Sequence, residues 1–296
     1  MATNQHGISR HIPNDVALQV RKQSKFGCVI CRCAIYQYEH IDPPFADATA
    51  HNPAKICLLC GTCHDQVTRG RLSKATVSRA YAEVQTSNDI KRPFETLDLF
   101  SQQVSIAVGT TIFEQPQTVF RVDDEDLIVI RPAKDGAAFP TLSGIFYDKT
   151  GSELLRIEEN IWHGQNNAVD IQVIGKSIIV KTEKNRTALH LRLDPPHRVS
   201  IVEIDMYKGR SHLLIKKGEM LVGHLNENQY SYIGLANFHC VSASVGINVR
   251  TDGSTVIKPT GVRMVGGEGV MLDGTGITIG QGAAQMQIQT LKVWAE

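Results

Sequence analysis

The sequence predicts an α+β protein in two parts. Residues 1–95 form a small, metal-stapled domain with helices, and residues 101–296 form an all-β domain, either a sandwich or a β-solenoid. Three observations predict this. Two Cys-x-x-Cys pairs, Cys28-Val29-Ile30-Cys31 and Cys60-Gly61-Thr62-Cys63, fall in the first third of the chain. From about residue 101 apolar and polar residues alternate at period two, the mark of half-buried strands. Beyond residue 261 the chain becomes glycine-rich, with short β-type runs about ten residues apart that suit stacked coils or an intertwined oligomer.

Each element has a local reason. Residues 1–12 read as a flexible lead. Pro13-Asn14-Asp15 opens a helix over 16–24: proline and an acid suit its first turn, and Arg21 and Lys22 suit its last. Arg21, Lys22 and Lys25 are candidate contacts to a nucleic-acid backbone. Residues 33–38 have strand character and deliver Glu39-His40 to a strand end. Residues 42–54, with Pro43, Pro44 and Pro53, form a loop. Residues 56–59 make a second short strand, and 62–67 start a helix. Arg69-Gly70-Arg71 is a turn carrying two guanidiniums near His64, a candidate phosphate clamp. Ser73 is a suitable N-cap for a further helix to about Thr86, with Val77, Ala80, Tyr81 and Val84 on one apolar face. A polar linker places the domain boundary at 87–100.

The cysteines carry the first chemistry. Each Cys-x-x-Cys is a knuckle that points two thiolates at one ion, and two knuckles supply a closed tetrahedral zinc site. Cys33 and Cys57 offer rival pairings, but Cys28, Cys31, Cys60 and Cys63 are favoured because both pairs match the knuckle spacing. Four thiolates leave no open position on the ion, so this zinc is expected to be structural. The gap between the knuckles is longer than in a simple zinc ribbon. It carries Tyr38-Glu39-His40-Ile41-Asp42-Pro43, and His64 directly follows the last cysteine. Any chemistry then falls to Glu39, His40 and His64, beside a second metal.

These residues resemble the zinc-containing HNH (ββα-metal) nucleases. There a Cys-x-x-Cys precedes an acid-His-Ile-x-Pro strand end, and a Leu-Cys-x-x-Cys-His element opens a helix; here Glu39-His40-Ile41-Asp42-Pro43 and Leu59-Cys60-Gly61-Thr62-Cys63-His64 fall in that order. The resemblance covers about the first third of the chain. It implies a ββα-metal zinc domain that hydrolyses phosphodiester bonds, in DNA before RNA. Glu39 and His64 would be ligands of a catalytic Mg, Mn or other divalent ion, and His40 the general base. One position departs: the family's asparagine five residues before the third cysteine is Lys55 here, and Asn52, three residues away, is the candidate substitute. Lys22, Lys55, Arg69 and Arg71 are the candidate nucleic-acid contacts. By family analogy, a nuclease fused to a β-domain would fit bacterial defence.

In the second part, alternating runs at 118–122, 144–147, 170–174, 177–180, 189–193 and 199–204 are separated by turn signals such as Asp148-Lys149-Thr150-Gly151 and Asp194-Pro195-Pro196. Trp162-His163-Gly164 reads as a loop anchored by a buried tryptophan. The histidines of this part fall at no ligand spacing. The β-domain is expected to recognise a target, sense a signal or assemble copies into a homo-oligomer.

Composition bounds the function. The chain has 296 residues, 42% of them hydrophobic and 21% charged, and a net charge of +1, as in an ordinary globular protein rather than a disordered or strongly basic one. Residues 1–95 hold 12 Lys/Arg against 8 Asp/Glu, a surplus that permits phosphate binding without requiring it. No run approaches the ~18 apolar residues of a membrane span, and the first residues show no signal peptide. Six of seven cysteines cluster within 28–63, which suits metal binding in a reducing cytoplasm. Two rivals to the nuclease remain: a zinc-stabilised module that binds nucleic acid without cutting, and a β-rich assembly protein with a zinc adaptor.

Overall fold

The computed structural model describes residues 3–133, 137–183, 186–226, 229–235, 238–241, 245–249, 255–258, 261–264, 277–279 and 293–295. Among the described residues, twenty-three strands stand against three α-helices, with large sheets across most of the chain, so the class is mostly β. This corrects the expected α+β class and its small ββα-metal domain. Contacts divide the chain into two units. One is Met1–Glu95 together with His163–Val173; the other is Thr96–Trp162 together with Ile174–Glu296.

The first unit holds the three described helices: α1 Asn14–Gln23, α2 Gly61–Thr68 and α3 Lys74–Thr86. Between α1 and α2 lies an antiparallel hairpin of β1 Gln37–His40 and β2 Ile56–Leu59. Strand β2 is buried at all four positions. Ile56 and Leu58 pack with Ala17 and Val20 of α1. Cys57 and Leu59 pack with Val77, Tyr81 and Val84 of α3. Alternate residues of one short strand thus serve two small cores, as the period of two dictates. Helix α3 begins where expected, with the Ser73 hydroxyl accepting from the Thr76 N–H.

Residues 3–12 are not a free lead. The Asn4 amide donates to the carbonyls of Phe45 and Ala48, each at 2.7 Å, and pins this segment to the loop between β1 and β2. Arg21 is not a surface contact either: it is buried and forms two hydrogen bonds to the Asp170 carboxylate, at 2.7 and 2.8 Å. Two backbone-directed bonds also tie 163–173 to this unit, Gly164 N–H to Pro93 O and Asn166 Nδ2 to Ile90 O.

The second unit is built of antiparallel runs. One runs through Thr118–Val122, Glu125–Arg131, Thr141–Tyr147 and Glu153–Glu158. The other runs through Ser177–Glu183, Arg186–Asp194, Arg198–Lys208, Ser211–Lys216, Glu219–Asn226 and Gln229–Leu235. Sequence neighbours pair antiparallel, unlike the coil-on-coil parallel stacking of a solenoid. Most of the glycine-rich tail lies outside the described residues. Inner-face residues of both runs, Phe120 and Leu127 from one and Met206, Leu213 and Val222 from the other, line one small cavity. Trp162 is fully buried within the strand Ile161–Gly164, not in a loop. In the second run, register aligns Tyr207, His212, Gly223 and Tyr232 across four strands. A Cβ at Gly223 would stand 2.5 Å from the Tyr232 ring. The missing side chain lets that ring lie across the strand and reach His212 Nδ1 at 2.7 Å.

Candidate functional site

The two knuckles come together. Cys28 and Cys31 lie in the turn after α1, Cys60 is the N-cap of α2, and Cys63 sits in its first turn. Their four Sγ atoms lie within 4.8 Å of one another. Among the described residues this is the one group of three or more convergent metal ligands. Cys33 and Cys57 stand outside it.

The site's electrostatics favour a cation. Burial pushes the Cys31 thiol up to about 12 and Cys63 higher still. Cys60 lies below the ordinary value in spite of its burial, because the Cys63 N–H and the Cys31 sulfur, 3.5 Å away, bond it. Four crowded sulfurs therefore cannot all ionise unaided, and a divalent ion removes that obstacle by binding them as thiolates. The residues present fit a structural zinc. Arg32 supports the first knuckle: its buried guanidinium donates to the carbonyls of Ser24, Lys25, Gly27, Cys28 and Lys91. It sets a positive charge beside the cluster and fixes the turn at the same time.

The hairpin and α2 bring the three other candidates together. Glu39 and His40 end β1, each 9% exposed, and His64 follows Cys63 on α2. Glu39 Oε2 lies 3.0 Å from His64 Nε2. The other Glu39 oxygen is taken by the Lys74 ammonium at the start of α3, which also donates to the His40 carbonyl. Lys74 was not foreseen: nothing local at a helix's first residue says that its side chain will reach a carboxylate 35 positions earlier.

His40 is held by a histidine rather than by an amide. Its Nε2 lies 3.3 Å from His51 Nδ1, and His51 Nε2 lies 2.9 Å from the carbonyl oxygen of Ser9. Phe45 packs against both rings, at centroid distances of 5.3 and 6.5 Å, and the Arg10 guanidinium lies 4.9 Å above Phe45. Burial, with the His51 ring second, holds His40 below the usual imidazole range. Asn52 is exposed, and its side chain accepts from the Ala54 N–H, capping the short turn Pro53–Lys55. The residue beside it, His51, makes the contact to His40 instead, and no local feature of the sequence marks it for that role.

Lys22, Lys55 and Arg71 are exposed. Arg69 is exposed too, but it is paired with Asp65 at 2.7 Å, one helical turn away.

Fold and site together define a mostly β protein that carries a four-cysteine cluster compatible with structural zinc. No described helix is long and apolar enough to cross a membrane. No protein-family model matches the chain, and neither does any curated protein or solved structure.

Proposed function

We propose that this chain is a metal-dependent nuclease of the HNH kind. It would hydrolyse phosphodiester bonds in DNA before RNA, with the β-rich unit serving target recognition or assembly of copies. The observation that carries this reading is the convergence of Glu39 and His64, 3.0 Å apart, beside His40 at the end of one strand. A carboxylate and an imidazole this close would suit two ligands of a Mg or Mn ion. Such an ion, when bound, offsets charge on the scissile phosphate.

The chain's own residues do the rest. His40, neutral at physiological pH, takes the proton of the attacking water. Glu39 and His64 would hold the ion. Lys74, paired with Glu39 in this structure, would be able to turn to a phosphate oxygen if an ion took its place. Lys22, Lys55 and Arg71 supply backbone contacts, and Arg69 joins them if it leaves Asp65. Asn52 stiffens the loop that carries His51. The zinc cluster fixes α2 against the hairpin, and so fixes His64 against Glu39.

A second reading, a zinc-stabilised module that binds nucleic acid without cutting, is favoured by one contact: the Lys74 ammonium already offsets the Glu39 charge. Supercoiled plasmid and single-stranded RNA, incubated with the zinc-loaded chain, separate the two. Cutting that depends on added Mg or Mn supports the nuclease. Binding without cutting, with Lys55→Asn equally inert, supports the module.

A further inference from the structure

We infer that His51 is a positioning residue that fixes the tautomer of His40, so that His40 offers Nδ1 as its proton-accepting nitrogen. The catalytic consequence rests on the nuclease reading above; the hydrogen-bond chain does not.

The chain of bonds runs in one direction because its last member can only accept. The Ser9 carbonyl has no proton to give, so at 2.9 Å the His51 Nε2 must carry one and donate it. In a neutral imidazole the other nitrogen then holds a lone pair, which makes His51 Nδ1 an acceptor. His40 Nε2, 3.3 Å away, therefore carries the proton of that contact. The His40 proton is spent on Nε2, and its Nδ1, on the ring edge turned away from His51, is left with its lone pair. The opposite tautomer of His51 would set a lone pair against the Ser9 oxygen. Phe45 stacks on the His51 ring with 15° between planes, and Asn4 and Arg10 hold Phe45 from the N-terminal segment. Ring orientation as well as tautomer is thus set in advance. A base whose second nitrogen is anchored in this way loses no freedom when water arrives. The groups around the pair are Glu39 and the Lys74 ammonium, and Lys74 meets the His40 carbonyl rather than its ring.

The test uses the full-length zinc-loaded chain with ¹⁵N-labelled histidine. Long-range ¹H–¹⁵N spectra at mildly alkaline pH report which nitrogen of each ring bears the proton. The expected spectrum has His40 and His51 both protonated at Nε2. His40 protonated at Nδ1, or averaged between the two forms, overturns the inference whether or not the chain cuts nucleic acid. Two variants add the catalytic arm. His51→Phe keeps the ring beside Phe45 but removes the acceptor, and should lower kcat by about 10²-fold, the lower range for losing a positioned base, with little change in KM. His51→Gln, whose amide oxygen can accept from His40 Nε2–H, should restore much of that loss. Equal kcat in wild type and His51→Phe overturns the inference while leaving the nuclease standing. A wild type that does not cut but keeps the expected tautomers sinks the nuclease reading and leaves the positioning of His40 intact.

Discussion

Glu39 stands between two partners, His64 on one oxygen and Lys74 on the other. In the proposed mechanism an incoming divalent ion must displace the ammonium. The Lys74 side chain is 37% exposed and that of Glu39 12%, so solvent screens the pairing to about 1 kcal/mol, the upper range for exposed pairs. Lys74→Met should then tighten Mn binding by about fivefold, the same energy expressed as affinity. Titration followed by Mn electron paramagnetic resonance measures it, and unchanged affinity would mean that Lys74 does not guard the site. In the β-rich unit, Asp205 accepts from His212 at 3.0 Å and pairs with Arg186. These contacts, His212 first and Arg186 after it, hold its carboxyl below the usual aspartate range against the opposing effect of burial. A depressed carboxylate stabilises the folded state fully above its unfolded pKa of about 3.9, and that stability is lost as pH falls through it towards the folded value. Urea unfolding across acid pH should show this slope, and Asp205→Asn should flatten it; an equal slope in the variant would place the titrating group elsewhere.

At the scale of elements, the hairpin β1–β2 and helix α2 position the site, and the cysteine cluster holds them. Binding of structural zinc contributes folding energy directly. Cys60→Ala removes both a ligand and the cap that accepts from the Cys63 N–H, 3.4 Å away. Elemental analysis should find no zinc in this variant, and hydrogen exchange should show α1–α3 unprotected while the strands of the second unit stay protected. Stoichiometric zinc in the variant would reassign the ligands. Much of this region was legible in the sequence, because its signals are local: a Cys-x-x-Cys turn, an apolar tetrapeptide, a serine three residues ahead of a threonine N–H. His51 and Ser9 were not legible. They meet His40 only after the loop between β1 and β2 has folded back on the N-terminal segment, and no spacing rule encodes that meeting. Asn52 drew attention by its chemistry, yet its side chain is used by its own turn.

For the whole molecule, the strand-rich second part was visible in the period-two pattern, whereas the α+β class overstated what three helices contribute. The place of His163–Val173 with the first unit had no sequence signal either. It depends on Arg21 meeting Asp170, 149 positions away, and both side chains are buried. Breaking such a pair from one side strands a buried charge, so Arg21→Met should destabilise the first unit by about 3–5 kcal/mol. Chemical unfolding read by exchange at 163–173 checks this, and a loss under about 1 kcal/mol would mean that the pair is solvated. The central claim is that the zinc-held hairpin and helix make a hydrolytic site around His40. Its most direct test is plasmid cleavage by full-length wild type and His40→Ala, each with equal zinc content and in the presence of Mn or Mg. The account predicts ion-dependent cutting by the wild type and a loss of about 10²–10⁴-fold in the variant, with unchanged DNA affinity. Equal cutting rates in the two proteins, or no cutting by a zinc-loaded wild type that binds DNA, would contradict it.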